Sequence, residues 1–253
     1  YSIVEDADGA IWISTKSGVD RYNGRTLKNY SLESKSFSGD RAGRIIQLFL
    51  SEGSLYAYES TGKLHKYSPV YDSFMLTSDL SDLSHGNVVV NKMLVNNDGS
   101  MLYATNDGLY KYVSDKDYNF LLPGIAVNDI IIANGYLFVA TSSGLKIMRG
   151  DHAVKDVELL KDTYIQSLYY DEDGAAVYIG AFNKGLYKLN PADFSVVQVH
   201  ATNSLLQKPI RSIVKLSPGQ IAVGIDGSGV LAYNTGNNSL TQLVNTELAP
   251  EFS

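Results

Sequence analysis

Apolar and polar residues alternate along this chain in short runs, and the runs return in a fixed order. Ile11-Trp12-Ile13-Ser14-Thr15 alternates about an aromatic, a polar loop follows, and Gly18-Val19 opens a further run that ends at Tyr22. The same slots read Leu55-Tyr56-Ala57 with Gly62, and then Leu102-Tyr103-Ala104-Thr105 with Gly108-Leu109 and Tyr112. They recur as Leu137-Phe138-Val139-Ala140-Thr141 with Gly144-Leu145, and as Val177-Tyr178-Ile179-Gly180 with Gly185-Leu186. The last copy is Ile221-Ala222-Val223-Gly224 with Gly229-Val230 and Tyr233. Successive marker glycines stand 36 to 46 residues apart, and self-similarity at such a period marks a repeat architecture.

Each repeat predicts four strands. It opens on a short apolar segment carrying Ile45 and Leu48, Val90 and Met93, Val127 and Ile130, Ile165 and Leu168, or Ile210 and Ile213. A polar turn follows, such as Asp6-Ala7-Asp8-Gly9, Asn96-Asn97-Asp98-Gly99 or Asp171-Glu172-Asp173-Gly174. These residues tolerate positive φ and are strong hairpin signals between alternating runs. The aromatic-centred strand comes next, then a loop closed by the marker glycine, then a third strand. A fourth, weaker strand is predicted over residues 27–30, 72–75, 119–122, 196–199 and 240–243. Four antiparallel strands per unit and no helical periodicity make a propeller blade. The expected fold is therefore all-β, a β-propeller of six four-stranded blade repeats forming a single domain over residues 1–253. The blades fall near 1–38, 39–84, 85–123, 124–161, 162–205 and 206–250. An open β-sandwich gives no reason for turns to recur at fixed intervals.

Composition agrees. Eighteen Tyr and 22 Gly suit short strands and tight turns, and 44% apolar residues can build a core. No apolar run reaches the 18 residues of a membrane-spanning helix. No signal peptide is evident, and Tyr1 stands inside a strand, which reads as a piece of a longer protein. The lack of cysteine rules out disulfides and thiolate zinc sites and leaves the compartment open. A net charge of −6 without a basic cluster argues against nucleic acid, which needs a positive footprint.

The string from Ile3-Val4-Glu5-Asp6 through Gly9-Ala10-Ile11-Trp12-Ile13-Ser14-Thr15 to Gly18-Val19-Asp20-Arg21-Tyr22 resembles the two-component regulator propeller repeat. That repeat runs approximately I-x-E-D-x-x-G-x-[IL]-W-[IV]-[GS]-T and then G-[LIV]-x-R-[YF]. The first copy matches closely; in the others Trp becomes Tyr56, Tyr103, Phe138, Tyr178 and Ala222. The resemblance implies a sensor ectodomain of a hybrid two-component system of gut Bacteroidetes. Such ectodomains resemble tandem seven-bladed propellers followed by a β-sandwich, a membrane helix and cytoplasmic histidine-kinase, receiver and DNA-binding modules. They face the periplasm, pair as homodimers and bind oligosaccharides that switch on polysaccharide-utilisation genes. By that comparison these six repeats are part of a larger propeller ectodomain and bind no nucleic acid. They meet the membrane only through a helix outside this chain, and the domain is not itself an enzyme. The resemblance implies no cofactor.

Several motifs carry candidate chemistry. Asp6-Ala7-Asp8-Gly9 and Asp171-Glu172-Asp173-Gly174 look like calcium-loop fragments, but neither supplies alternate oxygen ligands ending on a bidentate Glu, and both sit at hairpin positions. The aromatic column headed by Trp12 can stack on a sugar face or pack blade against blade; its recurrence favours packing. His65, His85, His152 and His200 share no ligand spacing, so neither a metal site nor a catalytic triad is supported. Paired carboxylates for glycoside hydrolysis are left open by spacing, although most acids fall in turns. The Asn-X-Ser matches at Asn29 and Asn237 are at chance level.

Binding residues are expected on the loops at one end of the blades, which vary while the scaffold stays rigid. The loop Ala181-Phe182-Asn183-Lys184 sets an aromatic beside an amide and a cation, as a saccharide site would; an ordinary exposed loop is the other reading. The loop Ile225-Asp226-Gly227-Ser228 contributes Asp226. A second column follows each leading apolar residue: Ile46, Asn91, Asn128, Gln166 and Arg211. Its polar members can hold channel water, or can floor a site in which Arg211 grips a carboxylate or sulfate. Lys208 and Arg44 lie nearby in sequence. Three classes follow: a ligand-sensing ectodomain that binds an oligosaccharide without turnover, a propeller lyase or glycoside hydrolase, and a platform for dimerisation or protein contacts.

Overall fold

The computed structural model describes residues 2–32, 45–51, 53–59, 62–80, 88–96, 100–114, 117–182, 184–200 and 202–244. Arg44, Ser60, Thr61, His85, Asn97, Asp98, Gly99 and Asn183 lie outside them. The chain forms two compact units, Tyr1–Phe120 and Leu121–Ser253.

In the first unit the first blade comprises β1 (Ile3–Glu5), β2 (Ile11–Thr15), β3 (Gly18–Tyr22) and β4 (Leu27–Tyr30). The second has β5 (Ile45–Ser51), β6 (Ser54–Glu59), β7 (Lys63–Ser68) and β8 (Ser73–Asp79). The third has β9 (Val90–Val95), β10 (Met101–Thr105), β11 (Gly108–Ser114) and β12 (Asp117–Pro123), whose last strand runs past the unit boundary. In the second unit the fourth blade comprises β13 (Val127–Ala133), β14 (Tyr136–Thr141), β15 (Gly144–Arg149) and β16 (His152–Asp156). The fifth has β17 (Ile165–Asp171), β18 (Ala176–Ala181), β19 (Gly185–Leu189) and β20 (Val196–Val199). The sixth has β21 (Ile210–Ser217), β22 (Gln220–Ile225), β23 (Gly229–Asn234) and β24 (Leu240–Val244). Every sheet keeps its strands in sequence order, so the fold is the expected β-propeller of six four-stranded antiparallel blades.

The aromatic column is core. Trp12, Tyr56, Tyr103, Phe138 and Tyr178 are all buried, and all but Tyr103 share a cluster with the leading residues of the blade that follows within the same unit. Trp12 packs with Ile45 and Leu48, Tyr56 with Val90 and Met93, Phe138 with Ile165 and Leu168, and Tyr178 with Ile210 and Ile213. Burying a ring of this size contributes a few kcal/mol, about 25 cal/mol per Å². The marker glycines have a separate cause. Gly18 and Gly144 take positive φ, and a Cβ would stand 2.2 Å from the Tyr30 carbonyl in one and 3.0 Å from the Leu160 carbonyl in the other. Chain leaving the blade crosses over them, and only glycine lets it come that close.

The first blade is tied by the two residues its motif sets apart. Asp6 Oδ1 accepts from the amides of Asp8 and Ala10 at 3.0 and 2.9 Å, closing the hairpin turn, and Oδ2 accepts from Trp12 Nε1 at 2.7 Å. The Arg21 guanidinium lies over the Trp12 ring at 5.0 Å and 3.8 Å from Asp6 Oδ2. Burial pushes the Asp6 carboxyl up, but the hydrogen bonds from Trp12, Ala10 and Asp8, with the Arg21 charge, hold it below its ordinary 3.8. A carboxyl lowered on folding stabilises the fold above its unfolded value, and that contribution is lost as pH falls through the lower folded value. Melting temperature is thus expected to fall as pH drops below the ordinary carboxyl value of 3.8, with Asp6→Asn flattening part of that fall in a calorimetric pH series.

A second tie joins the first and second blades. Tyr30 and Tyr67 hydroxyls donate to Asp72 Oδ1 at 2.6 and 2.7 Å, and Lys28 pairs with Oδ2. Lys28, followed by the two hydroxyls, holds the Asp72 carboxyl well below the usual carboxylate range. The rings beneath, Trp12, Tyr30, Tyr67 and Phe74, meet at 4.7 to 6.0 Å.

Three elements depart from expectation. Strand β16 has no counterpart in the sequence reading because all five of its residues are exposed, which erases the alternation that marks a strand. Short 3-10 turns, Glu158–Leu160 and Leu205–Gln207, link blades in the second unit and bury Leu160 and Leu206. Three residues are too few to show a helical period.

Candidate functional site

The polar column has a backbone cause. In five blades the pairing of the leading strand with the second strand shifts register just after the leading residue, and one residue is left out of the ladder there; the sixth blade has a second shift, between Lys215 and Ser217. The omitted residues are Ile46, Asn91, Asn128, Gln166 and Arg211, whose neighbours pair as Ile45↔Glu59 and Gln47↔Tyr58, or Ile210↔Ile225 and Ser212↔Gly224. Each is the extra residue of a β-bulge, which frees its side chain from strict in-and-out alternation and re-aims it. The Ile46 side chain is outside the described residues.

In the second unit the bulge residues and the loops make one row. Asn128 Nδ2 donates to the Ile165 carbonyl at 2.7 Å, and its Oδ1 accepts from the Tyr164 hydroxyl at 3.1 Å. The Tyr164 ring meets the Phe182 ring at 5.6 Å and 65°. Arg211 Cζ lies 5.4 Å from the Phe182 centroid, and its NH2 donates to Asp226 Oδ2 at 2.7 Å. Gln166, half-buried on the same column, has no side-chain hydrogen-bond partner among the described residues. Lys184 stands beside the row with its Nζ on Thr163 Oγ1 at 2.8 Å, and Lys208 Nζ donates to Ser228 Oγ at 2.6 Å. Asn91 belongs to the first unit, where its carbonyl accepts from Gln47 Nε2 at 3.0 Å.

Tyr164 belongs to this row, and the sequence reading does not single it out. The backbone puts it there: Phe182 N–H donates to the Tyr164 carbonyl at 2.8 Å, as Ser142 does to Ala126 and Asp226 to Pro209. That bond sets the loop tip beside the residue preceding each leading strand. The available signal was an aromatic at a slot filled by Val89, Ala126 and Pro209 in other repeats.

The row offers ring edges, a guanidinium, a carboxylate and an amide on open surface. Arg211 and Asp226 side chains are 50% and 49% exposed, and an ion pair at such exposure is worth about 0–1 kcal/mol, so a ligand displaces it at little cost. The pairing alters the expected role of Arg211, since a carboxylate of the chain already occupies the guanidinium. Among the described residues, two cavities of the second unit include none of these residues. One of about 260 Å³ is lined by Lys146, Asp156, Glu158 and Lys161, and one of about 280 Å³ by Lys188, His200, Tyr233 and Asn238. His65 pairs with buried Glu59 at 2.6 Å, and His200 contacts the Asn238 carbonyl. Among the described residues no three His, Cys, Asp or Glu side chains are grouped to hold a metal ion, and no helix is long and apolar enough to cross a membrane.

The class these features define is a β-propeller whose blade ends carry an aromatic and ionic row. No family model matches the sequence, and no curated protein matches it. Solved structures do. The extracellular domain of the putative one component system BT4673 from B. thetaiotaomicron is 18% identical with a TM-score of 0.72 over 96% of this chain and 36% of that one. The extracellular domain of the putative hybrid two component system BT3049 from the same organism is 15% identical, with a TM-score of 0.57 over 95% and 40%. PorZ, a surface component of the type-IX secretion system of Porphyromonas gingivalis, is 14% identical, with a TM-score of 0.72 over 94% and 39%. At these identities the likeness is one of fold, and the chain spans about a third of the length of the BT4673 domain.

Proposed function

We propose that this chain is a ligand-sensing propeller of a periplasmic hybrid two-component sensor, binding a glycan-derived oligosaccharide to control polysaccharide-utilisation genes. The observation that carries the reading is the row Asn128, Tyr164, Phe182, Arg211 and Asp226. Ring edges suit the apolar face of a sugar, and the guanidinium, carboxylate and amide suit its hydroxyls. The sequence motif and the fold likeness to extracellular domains of such systems support the same reading. Because Asp226 holds Arg211, a neutral sugar engages the row as it stands, whereas a uronate or sulfate must displace a like charge. The domain binds without turnover. Signalling follows if the ligand favours one arrangement of a homodimeric ectodomain over another, since only differential affinity shifts an equilibrium.

Calorimetric titration with size-defined neutral, uronic and sulfated oligosaccharides, followed by chromatography of the mixtures, tests this. Binding of one class with the sugar recovered intact is expected. Phe182→Ala and Arg211→Ala should each weaken it about tenfold, or 1.4 kcal/mol, with unfolding stability moved by less than about 0.5 kcal/mol. Unchanged affinity removes that residue from the site. Cleaved sugar makes the chain a lyase or hydrolase, and silence across the panel passes the function to a dimerisation or protein-contact platform.

A further inference from the structure

On the face that the fifth blade turns to the sixth, one charge stands among apolar side chains. Tyr178, Leu186 and Val199 there pack with Ile210, Ile213 and Tyr233 of the sixth blade. Register places Lys188 on the same face, directly between Tyr178 on β18 and Val197 on β20. Lys188 is half-buried, and its ammonium has no hydrogen bond or ion pair among the described residues. The neighbouring Tyr178 hydroxyl is buried and also lacks a partner there. Polar groups drawn out of water without partners are costly, and a charge most of all. Lys188 and Val197 line the cavity of about 280 Å³, together with Gln198, His200, Tyr233 and Asn238.

Hydrogen bonds within the lining fix what it offers. The Tyr233 hydroxyl donates to Asn238 Oδ1 at 2.6 Å, which leaves the Asn238 amide N–H groups to donate. His200 Nε2 faces the Asn238 carbonyl; a carbonyl only accepts, so Nε2 carries the proton and Nδ1 of the neutral ring is left to accept. Gln198 Nε2 donates to the Lys184 carbonyl at 2.8 Å, which leaves Oε1 to accept. His200 and Asn238 stand at φ of 46° and 58°, a region that residues other than glycine hold only when their surroundings impose it. The lining is therefore set before any ligand arrives. Lys188 supplies its one lysine or arginine charge, and Val197, 60% exposed, an apolar wall. At about 30 Å³ per water the cavity holds roughly nine waters, the bulk of one sugar ring. We infer that it binds a small hydroxy-carboxylate, with the carboxylate on Lys188 and the Asn238 amide and the hydroxyls on Gln198 and His200. A phosphate ester, carrying about two charges, finds no second lysine or arginine there. None of these residues belongs to the row of Asn128, Tyr164, Phe182, Arg211 and Asp226, so the two sites are separate.

Titration of D-glucuronate into the isotope-labelled chain, followed by amide NMR, tests this. The Lys188, Val197, His200 and Asn238 signals should shift saturably, and D-glucose should leave them in place. Acetate, with the charge alone, should need about tenfold higher concentration. Lys188→Gln should weaken glucuronate binding at least about tenfold, with signals elsewhere in the unit unmoved as evidence of an intact fold. Lys155→Gln, on exposed β16, removes the same charge at a distance from the cavity and should change nothing. Absence of a saturable shift at these residues overturns the inference, and so does an equal response to D-glucose or unchanged affinity in Lys188→Gln. Shifts confined to Phe182, Arg211 and Asp226 overturn it by assigning the carboxylate to the row. Acetate binding as tightly as glucuronate overturns the hydroxyl contacts.

Discussion

Trp12→Ala is expected to destabilise the first unit by about 3–5 kcal/mol, read as a lower denaturant midpoint at unchanged slope. The residue is 1% exposed and touches Tyr30, Tyr67 and Phe74 at ring distances of 4.7 to 6.0 Å, so truncation opens a cavity that no neighbour on a rigid sheet can fill. A further loss of about 1–3 kcal/mol arises because the Asp6 carboxylate keeps its place without the indole donor. Trp12→Phe separates the two, since it retains most of the ring volume and removes the N–H. If Trp12→Phe costs as much as Trp12→Ala, the hydrogen bond and not the packing holds the blade.

Gly18→Ala should cost about 3 kcal/mol or more, from strain of a side chain at positive φ and overpacking of a closed contact. The φ is +131°, and the new Cβ would stand 2.2 Å from the Tyr30 carbonyl oxygen, with Ser31 Cα at 3.2 Å. Both neighbours are backbone, and Tyr30 is held by its hydroxyl on Asp72, so neither yields by rotating a side chain. Gly24→Ala is the control: it also has positive φ but nothing within 4 Å, and its loss should be confined to the conformational part, about 1 kcal/mol. Equilibrium unfolding of the two variants side by side checks the difference.

The blade was legible because two packing demands write themselves into single residues. A buried aromatic at the second strand and a glycine under the departing chain recur at fixed distance, and any alternating run around them reads as a strand. Residues 27–30 and 196–199 were placed correctly as outer strands because apolar side chains still mark them, whereas β16 left no trace with five exposed residues. The motif is complete only around Trp12, because only there do an indole N–H and a turn aspartate answer each other; tyrosine and phenylalanine in later copies fill the slot without that donor.

The candidate site was legible in part. Phe182, Arg211, Asp226 and Asn128 were singled out from loop composition and from a polar column, and they do meet in the second unit. Neither signal could tell which of them touch. The contact runs through Tyr164, whose position depends on a backbone hydrogen bond to Phe182 across 18 residues, and through bulges that a one-dimensional pattern of apolar residues does not register. The ion pair between Arg211 and Asp226 was equally invisible, because it joins a leading strand to a loop tip on the far side of a hairpin.

The bulges also bear on how such a chain can diversify. A residue that opposes nothing on the neighbouring strand can be exchanged without moving the register on either side, and it is not required to fill the core. Asn91, Asn128, Gln166 and Arg211 are none of them buried, so four blades carry a bulge position where mutation costs little core packing. Duplicated repeats that share a scaffold under tight constraint thus keep an independent letter apiece. New recognition in this lineage of blades can arise by changing those letters singly, with the rest of the sequence held to the demands of packing.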